Sequence, residues 1–174
     1  MIKLTTTELK AMSPALKAGD KVSLSGYIYT SRDAAHKRIT ELMEAGEPIP
    51  YDLDGAVIYY AGPTGTKEGM AIGSCGPTTS SRMDKFAPDF LDKGLAAMIG
   101  KGERNQAVID AIIRNKAVYF CAIGGAGALC AKSIVACEEI AFRDLGCESV
   151  KRLTLKDFSV VVAVDCNGGN LFER

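Results

Sequence analysis

Residues 105–123 read NQAVIDAIIRNKAVYFCAI, and this stretch decides the fold class. Val108, Ile109, Ile112 and Ile113 recur at helical spacing, so 105–114 is predicted to be a helix with one apolar face. It leads into 117–123, an apolar run that reads as a strand. Apolar strands alternating with amphipathic helices imply crossover units, in which a largely buried sheet is covered by its own connections.

The same grammar extends in both directions. Residues 21–30 alternate and are rich in β-formers, so they are predicted to be a strand. A helix over 32–45 follows, with Ala35, Ile39, Leu42 and Met43 on one face and Gly46 at the left-handed cap. Short strands are expected at 56–61 and 70–74, divided by the turn Gly62-Pro63-Thr64-Gly65. A helix over 81–92 and a strand over 96–99 come next. Gly124-Gly125-Ala126-Gly127 is expected to open a small-residue helix reaching 135. The tail differs: 151–155 and 160–165 read as strands, and Asn167-Gly168-Gly169-Asn170 as a hairpin turn. The expectation is one α/β domain over 1–174, a mostly buried sheet flanked by helices and completed by a C-terminal antiparallel hairpin.

The 174 residues suit one domain, and 47% apolar with 24% charged is an ordinary globular composition. Twenty-one basic residues balance twenty-one acidic ones, which argues against nucleic acid or a membrane surface held by bulk charge. No apolar run reaches the roughly 20 residues of a membrane span, and the first residues lack a secretory pattern. A cytoplasmic location is expected. The six cysteines, at 75, 121, 130, 137, 147 and 166, form no Cys-x-x-Cys pair. They read as small apolar side chains in a reducing compartment, and no metal site is expected on this chain.

Three strings carry chemistry, each a strand end, a turn of small or hydroxyl residues, and a cation. In Thr30-Ser31-Arg32-Asp33-Ala34-Ala35-His36, Thr30 and Asp33 fit a capping box that places Arg32 in the first helical turn. A cation against the positive helix end suits an anion that both can share, or else a neighbouring carboxylate. In Gly76-Pro77-Thr78-Thr79-Ser80-Ser81-Arg82-Met83-Asp84, Ser81 and Asp84 fit a second box. There the Gly76-Pro77 turn would present Thr78 and Thr79 at a strand's carboxyl end, where open α/β sheets bind ligands, with Arg82 gripping a carboxylate or phosphate in a fork, although Thr79 and Ser80 read rather as a solvated cap. In Met98-Ile99-Gly100-Lys101-Gly102, flanking glycines would let Lys101 and its backbone approach a ligand. His36, the one histidine, lies a helical turn after Arg32 and reads as a hydrogen-bonding core residue ahead of a general base.

Taken together and in order, these strings resemble the β subunit, or C-terminal domain, of class I iron–sulfur fumarate hydratases and L-tartrate dehydratases. Further matches are Ser25-Gly26-Tyr27-Ile28-Tyr29-Thr30, the Gly124-Gly125-Ala126 turn, Val164-Asp165 and Gly169-Asn170-Leu171-Phe172. The resemblance implies a swivelling β/β/α domain that closes over a cluster-bearing α subunit, with a heterotetramer as the expected assembly. It implies substrate carboxylate binding by Arg32 and Arg82 with help from Lys101. It makes Thr78 the candidate catalytic base, activated by an acidic residue of the α subunit, because a free hydroxyl is far too weak an acid alone. Asp33, His36 and Asp84 are the supporting residues around them.

The implied reaction is reversible hydration of fumarate to (S)-malate, with the departing hydroxyl met by one iron of a [4Fe–4S] cluster. Three cysteines of the α subunit, and none of this chain, are expected to hold that cluster. Fumarate is preferred over tartrate because Arg32-Asp33-Ala34-Ala35-His36 and Arg82-Met83-Asp84 are closer to the fumarase versions. A β subunit of L-tartrate dehydratase and a non-catalytic carboxylate-binding module are the alternatives.

Overall fold

The computed structural model describes residues 1–64, 68–123 and 127–173. Gly65 of the first expected turn and Gly124-Gly125-Ala126 of the second lie outside the described residues. The strands are β1 (Ile2–Thr5), β2 (Lys21–Thr30), β3 (Val57–Tyr59), β4 (Ala97–Gly100), β5 (Val118–Ala122), β6 (Ile134–Ala141) and β7 (Val150–Val164). The helices are α1 (Leu9–Met12), α2 (Asp33–Glu44), α3 (Ala87–Asp92), α4 (Gln106–Asn115) and α5 (Gly127–Lys132).

The sheet runs β1-β2-β3-β4-β5-β7-β6, and β7 also pairs with β2. That extra pairing closes β2, β3, β4, β5 and β7 into a five-stranded ring. Its β2, β3, β4 and β5 are parallel neighbours, while β7 runs antiparallel to both β5 and β2. The sheet is mostly buried and has helices around it as expected, but it also closes on itself, because β7 is long enough to serve both edges.

Period-two alternation fills both faces of the ring. Val22, Leu24, Val57, Tyr59, Ala97, Ile99, Val118, Phe120, Val160 and Val162 form one core with Leu9 and Leu16. Ile58, Met98, Tyr119 and Ala163 point the other way, into a core shared with Ala35, Ile39, Phe90, Leu91, Val108 and Ile112 of α2, α3 and α4. Since those helices contribute only to the second core, the first fills the ring's interior. In α4 the Asn105 side chain caps the start by accepting from the Val108 amide at 3.0 Å. Ala111 takes the buried place expected for Ile113, which is 40% exposed.

Three other expectations need correction. Two C-terminal strands prove to be one 15-residue strand, β7, bent at Asp157, whose φ is +52°. The Asn167–Asn170 hairpin reduces to a single Val164–Asn170 bridge, because the Asp165 carboxylate takes the Asn167 and Gly169 amides (2.8 and 2.9 Å) and curls the chain. Residues 70–74 form bends, not a strand; Thr64 and Cys75 amides tie this segment to Ser74 and Gly127 carbonyls.

The expected helix 81–92 divides into a 3₁₀ turn (Ser80–Met83) and α3. Asp84 is responsible. Instead of capping with Ser81, its carboxylate meets the Arg104 Nε at 2.6 Å and the Asn105 amide at 2.9 Å. Arg104 is sealed from solvent, donates to the Tyr60 hydroxyl at 3.1 Å, and lies over the Tyr60 and Tyr119 rings. Removing one partner of such a pair strands a buried charge, whereas removing both does not. Asp84→Ala is expected to cost about 3–5 kcal/mol in chemical denaturation. The double variant Asp84→Ala/Arg104→Met should recover part of that loss; a double variant as unstable as the sum of two singles would contradict the assignment.

Candidate active site

Each of the three strings leaves the carboxyl end of a parallel strand or packs directly against one. Thr30 ends β2, Tyr59 ends β3 with Tyr60 directly after it, and Gly100 ends β4. The loop carrying Thr78 crosses these ends: its Thr78 amide donates to the Tyr60 carbonyl at 2.7 Å. One residue on, Thr79 forms a parallel bridge with Lys101. Ser80 completes the join by accepting from the Lys101 amide at 3.0 Å, while its own amide donates to the Lys101 carbonyl.

Ser80 is fully buried, and its hydroxyl also accepts from Tyr119 at 2.8 Å. A Cβ on Gly100 would stand 1.9 Å from the Ser80 oxygen. Glycine is therefore required at 100 by close approach. The reading of Ser80 as a solvated cap is corrected: its hydroxyl locks the Thr78 loop to the Lys101 loop.

Arg82 projects back over the Thr78 loop. Its Nε donates to the Asp33 Oδ2 at 3.0 Å, its Nη2 meets the same oxygen, and its Nη1 reaches the Thr78 Oγ1 at 3.5 Å. Asp33, Arg82 and Thr78 are thus brought together, with the Asp33 Oδ1 buried and without a partner. Asp33, Ser81, Arg82, Asp84, Lys85 and Asn105 line a cavity of about 460 Å³ beside them. Lys101 reaches the group through its backbone, and the residue is exposed.

Arg32 stands at the N-cap of α2 and not inside its first turn, in an extended conformation. The expected Thr30 cap fails because the Thr30 hydroxyl turns to β7, accepting from the Lys151 amide at 3.0 Å and donating to the Ser149 carbonyl. The Arg32 side chain runs across Gly62, where a Cβ would sit 3.0 Å from Nη1 and 3.1 Å from Cδ. Its Nε is buried without a hydrogen bond, and Glu148 Oε1 lies 3.9 Å away.

His36 supports this corner from below. Its ring is 1% exposed, stacks on Phe90 at 4.9 Å, and turns Nδ1 to the Arg32 carbonyl (2.9 Å) and the Ser31 hydroxyl (2.7 Å). A carbonyl only accepts, so the tautomer with the proton on Nδ1 serves both contacts. Burial pushes its pKa down from 6.5 to about 4, which leaves a neutral ring at pH 7. Enclosed and neutral, it holds the Arg32 backbone and has no path to a substrate proton.

Burial pushes the Cys75 thiol, adjacent to the Gly76 loop, up to about 12, which keeps it protonated at neutral pH. Cys121 and Cys137 are half-buried and Cys147 is exposed, so the reading of the cysteines as small buried side chains applies to Cys75, Cys130 and Cys166. Among the described residues no three His, Cys, Asp or Glu side chains converge as a metal-binding group. Among them, too, no helix is long and apolar enough to cross a membrane.

Sequence reasoning missed Arg104, Ser80's locking role and Glu148. Arg104 sits between polar neighbours, Glu103 and Asn105, and nothing in that context signals burial. Glu148 is far from Arg32 in the chain and meets it only through the course of β7.

A family model described as the fumarase C-terminus matches residues 1–174. The chain is 39% identical to fumarate hydratase 2 of Leishmania major over 158 residues, 90% of this chain and 28% of that protein. It is 36% identical to the aerobic class I fumarate hydratase of Escherichia coli strain K12 over 169 residues, 96% of this chain and 31% of that protein. It therefore spans about three-tenths of the length of these relatives. The "Putative L(+)-tartrate dehydratase subunit beta" of Methanocaldococcus jannaschii is 37% identical over 178 residues, covering 99% of this chain and 89% of that one.

The neutral His36 carries a pH signature. Above pH 6.5 the ring is neutral whether the chain is folded or not. Between 6.5 and about 4 the unfolded chain binds a proton that the folded chain refuses, so stability falls as pH falls. Between pH 7 and pH 5 this amounts to roughly 2 kcal/mol. Chemical denaturation at both pH values should show that loss in the wild type and a distinctly smaller one in His36→Gln. Equal losses would mean that the ring titrates normally.

Proposed function

The chain belongs to the fumarase C-terminus family, and on that premise we propose that it is the β-type part of an iron–sulfur hydro-lyase that hydrates fumarate reversibly to (S)-malate. The observation that carries this reading is the Asp33–Arg82–Thr78 arrangement at the strand ends. Arg82 is held on its Nε side by Asp33 and extends another nitrogen to the Thr78 hydroxyl. A carboxylate gripped by this guanidinium would present its neighbouring carbon to that hydroxyl.

In this reading Arg32, Arg82 and Lys101 neutralise the two carboxylates of a four-carbon dicarboxylate, and forked guanidinium contacts fix its orientation. Thr78 takes the proton from the carbon of malate in the dehydration direction. An acidic residue of a cluster-bearing α chain would have to prime it, since the cation beside it favours the alkoxide without creating one. The cluster, held by three cysteines of that α partner, supplies the Lewis acid for the departing hydroxyl. The swivelling motion, the cytoplasmic location and the heterotetrameric assembly belong to the same proposal. A second substrate, tartrate, is favoured by one observation: the Methanocaldococcus relative named for it matches this chain over nearly its whole length.

Anaerobic co-expression with a cluster-bearing partner, followed by assays on fumarate, malate and tartrate, tests the substrate. Arg32→Ala and Arg82→Ala in the assembled enzyme should each weaken dicarboxylate recognition by about 2–4 kcal/mol, read as kcat/KM. Thr78→Ala should lower kcat by about 100-fold or more with an unchanged melting temperature. A turnover within a few-fold of wild type would make Thr78 a structural hydroxyl. The chain alone, after anaerobic reconstitution with iron and sulfide, should show no hydratase activity; turnover by it alone would overturn the division of labour.

A further inference from the structure

Glu148 is the one acidic side chain of the described residues that stands against Arg32, and it comes from the opposite end of the chain. Its Oε1 lies 3.9 Å from the Arg32 Nε and 3.4 Å from the Ala34 amide in the first turn of α2. The carboxylate therefore answers two positive groups, a guanidinium and a helix N-terminus. It is also near enough to Arg82 to act on its charge.

The backbone around Glu148 is held on both sides. On one side, Arg38 of α2 makes paired 2.8 Å bonds to Asp144 and lies over the Phe142 ring. On the other, Ser149 is buried, its carbonyl accepts from Thr30 and Lys151, and its hydroxyl donates to Glu139 at 2.8 Å. Gly62 packs between Arg32 and the Cys147 carbonyl, where a Cβ would be crowded, 3.1 Å from that oxygen. Arg32 and residue 148 are thus set against each other across a glycine.

A guanidinium has more than one face for a carboxylate. With the Nε side turned to Glu148, the terminal nitrogens remain, and among the described residues they make no hydrogen bond. We propose that Glu148 is a positioning residue, whose charge holds the Nε side of Arg32 so that its terminal nitrogens present to a substrate carboxylate. This rests on the reading of Arg32 as a carboxylate-binding residue, and the experiment separates the two.

Glu148→Gln keeps the shape and the acceptor toward Ala34 but removes the charge. In the enzyme assembled with its cluster-bearing partner, it should raise KM for fumarate by roughly tenfold, on the scale of misplaced binding groups, with kcat changed less than about twofold. Its melting temperature should stay at the wild-type value. In an Arg32→Ala background the same substitution should change KM by less than about twofold, because the group that it positions is gone. Wild-type KM in Glu148→Gln, when Arg32→Ala alone raises it, would overturn the positioning role and leave the reading of Arg32 intact. An additive effect with a lowered melting temperature would also overturn it and make Glu148 a helix cap. An Arg32→Ala enzyme with wild-type KM would overturn both.

Discussion

A guanidinium sealed from water orders the rest of this structure. Arg104 has no exposed side-chain surface, so its charge must be met from within. Asp84 meets it, and the same carboxylate holds the Asn105 amide at the start of α4. Tyr60 from the end of β3 and Tyr119 of β5 enclose it with their rings. Arg104 therefore ties together the segment that carries Arg82, the strand end that receives Thr78, and a helix on the outer face of the ring. Tyr119 passes the constraint on through its hydroxyl to Ser80, and Ser80 passes it to the backbone of Lys101.

Above this frame the candidate site is built of cations whose partners are deliberately incomplete. Asp33 holds Arg82 with one oxygen and leaves the other buried and unpaired. Glu148 stands near Arg32 without a hydrogen bond to its Nε. Unmet polar atoms in a buried setting are costly, and two of the four among the described residues, the Arg32 Nε and the Asp33 Oδ1, lie here, just past the end of β2. On the proposed reading, the donor nitrogens left to these guanidinium groups serve an anion even though the overall charge is zero.

Much of this was legible because local pattern and tertiary placement agree. The helices α2 and α4 and the strands β2, β3, β4 and β5 follow their hydrophobic periods, and the first and third strings mark strand ends as read, whereas the Thr78 string follows bends and packs against the ends of β3 and β4. What failed has a physical reason each time. The two polar residues Lys156 and Asp157 made β7 read as two strands, yet a left-handed Asp157 lets one strand bend and close the ring. Edge strand β6 is exposed on much of its length and lacks clean alternation. Both capping boxes were overridden by distant partners: Thr30 by β7, and Asp84 by Arg104. Arg32 fell outside its helix for the same reason. Short-range patterns could not show that Ser80 fills the space above Gly100, or that Glu148 reaches Arg32 from 116 residues away in the chain.

On the proposed reading, this chain supplies the carboxylate grip of a hydro-lyase completed by a partner. The most direct measurement is a crystal structure of the assembled enzyme with a four-carbon dicarboxylate bound. It should place carboxylate oxygens about 2.7–2.9 Å from nitrogens of Arg32 and Arg82, the range of charge-assisted hydrogen bonds. Lys101 should stand beside the same ligand, and the Thr78 hydroxyl should face a reacting carbon. A dicarboxylate held wholly by the partner, with no nitrogen of Arg32 or Arg82 in contact with it and Thr78 turned away, would contradict it.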